Sequence, residues 1–93
     1  MTIETKPWDP AELLKTPADI AAYLDAYLED GTTEELLGAL NTIARSRGML
    51  ALARDTGISR EALCRAFSYN RNPTLDTLLR VLKALGVRLA IAA

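Results

Sequence analysis

Five positions between residues 49 and 68 limit this chain more than any other feature. Ala53, Gly57, Ile58, Ser59 and Leu63 stand at the spacing of two short helices that cross at close range. The first helix needs a small residue where the second passes over it, and Ala53 supplies one. Gly57 follows where the turn requires a residue tolerant of positive φ. Ile58 then plugs the turn, Ser59 caps the second helix, and Leu63 is the aliphatic residue that the second helix buries. Two helices at about 90–120°, joined by three or four residues, pack without clash only under such constraints. The spacing predicts a helix-turn-helix over residues 49–68.

The flanking sequence predicts further helices. In TPADIAAYLDAYLEDG, Thr16 is an N-cap, Pro17 occupies the first helical position and Asp19 completes a capping-box pattern. Ile20, Tyr23, Leu24, Tyr27 and Leu28 recur at helical spacing, and Gly31 is expected as a left-handed stop. The opposite face carries Asp25, Glu29 and Asp30. A second helix restarts at Thr32, with Glu34 and Glu35 in the first turn, where the helix dipole favours anions. Its buried stripe is Leu36, Leu37, Leu40, Ile43 and Ala44, and Arg45 and Arg47 close the last turn before Gly48. After the two motif helices, TLDTLLRVLKALG starts at the N-cap Thr74, directs Leu75, Leu78, Leu79, Leu82 and Leu85 inward, and stops at Gly86. The fold class is therefore all-α, with five helices.

Both ends differ from this body. Residues 1–15 form an N-terminal arm without a clear period, in which Trp8 reads as a packing anchor or, alternatively, as a residue awaiting a partner. Residues 16–86 make up the helical domain. In residues 87–93 the period changes from 3.6 to 2, with Val87, Leu89 and Ile91 alternating with Arg88, Ala90 and Ala92. That pattern reads as a short β-strand, and a frayed tail is the alternative. A strand alone leaves backbone groups unpaired. The same strand from a second copy would pair them across a two-fold axis, giving a homodimer.

Composition removes most chemistry. The chain has 93 residues, no histidine and one cysteine. Imidazole bases, His-containing triads and His metal ligands are excluded, and one thiol forms neither an internal disulfide nor a thiolate zinc site. No carboxylate pair, nucleophile–base pair or glycine-rich phosphate loop can be assembled, so no enzyme, cofactor or metal is expected. No run of apolar residues suits a membrane span and the N-terminus lacks a signal-peptide core, so a cytoplasmic location is expected. The formal net charge of −1 conceals an asymmetry: residues 1–40 carry a net of −7 and residues 41–93 a net of +6. Such a division suggests two different partners.

A helix-turn-helix presents the N-terminal part of its second helix to the DNA major groove. Here that surface is Ser59, Arg60, Glu61, Cys64, Arg65 and Ser68. Arg60 or Arg65 can pair with a guanine edge, and Glu61 can accept from cytosine N4. The loop YNRNP and the following helix start would lie over a phosphate, with Arg71, Asn72 and the N–H groups near Thr74 as donors. Cys64 reads as a small residue at the helix surface, with a redox sensor as the alternative. Tyr23 and Tyr27 share one stripe and read as core edge rather than a base-stacking platform.

Taken together, WDPAELLKTPADIAAYLDAYLEDG, the run from ALNTIARSRGM to LARDTGISREAL, and NPTLDTLLRVLKALGVRL resemble the addiction-module antidote proteins. The resemblance is to the HigA-like antitoxins with a λ-repressor-like (XRE-type) helix-turn-helix, and it covers nearly the whole chain. It implies a cytoplasmic homodimer that binds its own double-stranded operator DNA. It also implies a toxin partner of the RelE/ParE-like class, typically a small basic ribonuclease encoded next door. Two departures stand out. Leu50 and Ala51 occupy the place of a polar pair that usually caps the first motif helix and touches phosphate, and Cys64 stands where tyrosine is common. A stand-alone phage-type repressor, or a protein-interaction module that has lost DNA binding, are the competing readings.

Overall fold

The computed structural model describes residues 14–68 and 71–93. Its elements are α1 (Pro17–Asp30), α2 (Thr33–Arg47), α3 (Met49–Thr56), α4 (Arg60–Ala66) and α5 (Leu75–Ala84). Trp8 and the rest of the arm before Leu14 lie outside the described residues, as do Tyr69 and Asn70 of the loop before α5.

Local chemistry sets the helix starts. At α1 the Thr16 hydroxyl accepts from the Asp19 N–H at 3.1 Å, and the Asp19 carboxylate accepts from the Thr16 N–H at 3.3 Å. The same reciprocal box opens α2 between Thr32 and Glu35, at 3.2 and 2.9 Å. Each box satisfies two N–H groups that a helix start otherwise leaves without partners. Ser59 and Thr74 cap α4 and α5, accepting from the N–H groups of Ala62 and Thr77 at 3.1 Å each.

Helix α1 packs on α2, α2 on α3, and α3 on both α4 and α5. The eight-residue α3 therefore touches three other helices, and its Leu52 is fully buried. Around it the core gathers Ile20 and Leu24 from α1, Leu37, Leu40 and Ile43 from α2, Leu63 and Phe67 from the α4 region, and Val81, Leu82 and Leu85 from the α5 region. Leu14, just before α1, is also buried, so packing begins within the stretch expected to be an arm. Tyr23 and Tyr27 sit at the core edge, edge-to-face with ring centroids 5.3 Å apart. Burial raises the Tyr23 phenol above its ordinary value of 10.0; the hydrogen bond with Tyr27 and that residue's charge add to the rise, while a hydrogen bond with Thr42 opposes it.

Three expectations are corrected. Gly31 is extended, with φ −114 and ψ 165, and is not a left-handed stop. Its small size matters for another reason: a Cβ there would lie 2.7 Å from the Tyr27 carbonyl oxygen, which already accepts the Gly31 N–H. Second, Leu28, Leu75 and Leu79 do not point inward and are 56%, 65% and 44% exposed. The buried face of α5 is centred on Leu78, Val81, Leu82 and Leu85, and at 100° per residue Leu75 and Leu79 fall on its flank. Leu28 lies in the last turn of α1, beside Leu36 and Leu40 of α2 but covered by them over less than half its surface. Third, residues 87–93 form no strand in the single chain. The Val87 N–H bonds back to the Leu82 carbonyl at 3.0 Å, and beyond it Leu89 and Ile91 face solvent. A strand needs a hydrogen-bonded neighbour, and the described part of one chain supplies none.

Candidate nucleic-acid interface

The turn between α3 and α4 is held by backbone and side chain together. Gly57 adopts φ 74 and ψ 14, and its N–H bonds the Ala53 carbonyl at 2.9 Å. For a residue with a Cβ this left-handed conformation is strained. Ala53 and Ile58 are half-buried against the core, and Leu63 is fully buried. Ala53 thus lies in α3, Gly57 and Ile58 in the turn, Ser59 at the cap of α4 and Leu63 on its buried face.

Sequence reasoning missed the residue that ties the turn together. Thr56 is buried, and its hydroxyl donates to the Leu52 carbonyl at 2.8 Å while accepting from the Ile58 N–H at 3.2 Å. One side chain thus links the end of α3 to the residue that plugs the turn. The available signal was a hydroxyl residue directly before the turn glycine, a position where side chains bond local backbone.

All nine predicted contact residues are exposed: Ser59, Arg60, Glu61, Cys64, Arg65, Ser68, Arg71, Asn72 and Thr74. The structure brings four of them together. Arg65, Arg71, Asn72 and Thr74 line one open cleft of about 470 Å³, which Thr77 also borders. Arg60, Glu61 and Cys64 lie on α4 outside this cleft. The loop geometry is anchored by the Ser68 hydroxyl, which donates to the Arg65 carbonyl at 2.8 Å, and by the Arg71 N–H, which bonds the Ser68 carbonyl at 3.2 Å. Ser59 and Thr74 hold their oxygens on cap N–H groups. Thr74 also donates to the Thr77 hydroxyl at 3.0 Å, so the donors that this helix start presents are backbone N–H groups rather than the Thr74 side chain. Asp76, in the first turn of α5, is paired with Arg80 at 3.1 Å, which offsets its negative charge near the cleft.

A protein-family profile described as "Probable addiction module antidote protein" matches residues 4–93. The chain belongs to this antidote family. A relative from Haemophilus influenzae strain Rd, described as an uncharacterized protein, is 43% identical over 91 residues, covering 98% of this chain and 94% of the relative. No solved structure matches the chain. An antidote implies a toxin that it counteracts, so the family implies a toxin partner. Among the described residues of this antidote protein no group of His, Cys, Asp or Glu is placed to hold a metal ion. No helix among them is long and apolar enough to cross a membrane.

Proposed function

We propose that the chain is the DNA-binding antitoxin of a type II toxin–antitoxin pair. It neutralises a small basic toxin of the RelE/ParE-like class and represses its own operon from the cytoplasm. The observation that carries the DNA half of this reading is the cleft where Arg65 of α4 meets Arg71, Asn72 and Thr74 from the other side of the loop. In a λ-repressor-like arrangement α4 enters the major groove, where Arg60 or Arg65 takes a guanine O6/N7 edge and Glu61 accepts from cytosine N4. Arg71, Asn72 and the first backbone N–H groups of α5 then hold a phosphate and fix the register.

Operator binding asks for two half-sites about one DNA turn apart, hence two copies. Residues 87–93 support a homodimer: the tail beyond Val87 offers its backbone and the exposed Ile91 to a second tail. The role requires binding and no bond-making, in keeping with the absence of an assembled catalytic group in the sequence.

Electrophoretic mobility shift on the DNA upstream of the gene tests the reading. The wild type should retard that DNA, and Arg60→Ala with Arg65→Ala should weaken retardation by roughly 30-fold or more, at about 1–3 kcal/mol for each lost base contact. Retained affinity in the double variant would remove α4 as the recognition element. A second reading, a protein-interaction module that has lost DNA binding, is favoured by Leu50: it is 70% exposed at the start of α3, a helix that lacks a side-chain cap. Failure of the wild type to retard upstream DNA would decide for that reading. A stand-alone repressor would bind the DNA but have no small basic protein encoded beside it.

A further inference from the structure

Helix α1 carries four acids, Asp19, Asp25, Glu29 and Asp30, and no base. Asp19 sits in the capping box, where the helix dipole welcomes it. Glu29 and Asp30 occupy the last turn, where the dipole is negative and opposes them. The ion pairs among the described residues are Arg54–Asp55 and Arg80–Asp76, and neither engages α1. Glu34 then follows at the exposed start of α2. Glu29 and Asp30 thus work against the helix that bears them, so helix formation does not account for their placement.

Beside them runs an apolar groove. Leu24 and Leu28 stand one helical turn apart on α1, and Asp25 and Glu29 form the neighbouring row. With Leu82 and Leu89 the two leucines line a depression of about 360 Å³, with Asp25 at its rim. The same four residues continue into an apolar recess reaching Leu36 and Leu78. Arg88 is the base on this lining. No residue of α3 or α4 takes part.

We propose that this groove is the toxin-docking surface, and that it seats a basic amphipathic helix of the toxin. Apolar side chains of that helix fill the leucine groove, while its Lys and Arg residues face Asp25 and Glu29 on one side and Asp30 and Glu34 at the end. The proposal rests on the antitoxin reading above. A second copy of this chain fits less well, because a two-fold contact along α1 would set one acidic row against another with only Arg88 to offset it. Since the groove leaves α3 and α4 uncovered, toxin and operator can be held at once.

The test uses the product of the small reading frame beside the gene as the probe. Isothermal titration compares the wild type, Asp25→Lys with Glu29→Lys, and Leu28→Gln, all exposed positions, with folding checked by circular dichroism. Charge reversal should weaken binding by about 100-fold, since like-charge contacts at an interface cost several kcal/mol. Leu28→Gln should weaken it by about 10-fold, while operator retardation and the sedimentation of the free antitoxin stay unchanged. In NMR titration of the wild type, amide shifts should concentrate in residues 21–30 and 87–90, a readout that needs no variant. Equal binding by all three proteins overturns the docking surface and leaves the antitoxin reading standing. A change from dimer to monomer in the variants assigns the groove to a second copy and also overturns it. Absence of binding by the wild type removes both proposals.

Discussion

Thr56 shows how much one side chain can hold. Its hydroxyl satisfies a backbone donor and a backbone acceptor at the turn between α3 and α4, from a buried position. Thr56→Val keeps the shape and removes both bonds, leaving the Ile58 N–H without its partner. The expected loss is about 1–3 kcal/mol in urea unfolding, and a stability equal to that of the wild type would show that the bond to Ile58 does not secure the turn. The residues named by the spacing pattern were legible because each answers a local steric demand. Thr56 was less so, since its importance depends on the burial that tertiary packing gives it. The same limit applies at Leu50: its exposure could not be read from hydrophobicity.

At the scale of elements, helix starts were legible and helix faces only in part. Caps act within one turn of chain, so Thr16, Ser59 and Thr74 are recognisable from sequence and are found in place. The box between Thr32 and Glu35 extends the same logic to α2. The turn between α3 and α4 depends on the left-handed Gly57, where the space around an added Cβ is open but the backbone is not. Gly57→Ala should therefore cost about 1–2 kcal/mol through conformational strain, without a clash. Calorimetry would register this as a Tm lower by several degrees. An unchanged Tm would mean that the turn relaxes to another conformation. Leu75 and Leu79 show the limit of periodicity. The apolar stripe of α5 is wider than the face that its neighbours cover, and the pattern does not say which edge stays wet.

For the whole molecule the governing feature is the division of charge. An acidic first part, −7 over residues 1–40, is joined to a basic second part, +6 over residues 41–93, and the expected DNA-contact residues all lie in the second. If the proposed dimer neutralises about four to six phosphates, log affinity for upstream DNA should fall against log salt with a slope of about −4 to −5. A flat response in mobility-shift titrations at several salt concentrations would argue against phosphate contact. By itself the sequence determined five helices, their caps, the position of the turn and the separation of charge, because each depends on neighbours a few residues away or on simple counting. The tertiary structure alone decided that Val81 is buried while Leu28, Leu75 and Leu79 are exposed, that Arg65 shares a cleft with Arg71, Asn72 and Thr74, and that the tail after Val87 finds no partner within the described chain. Burial and proximity are set by which distant segments come to lie alongside, and no local pattern carries that information.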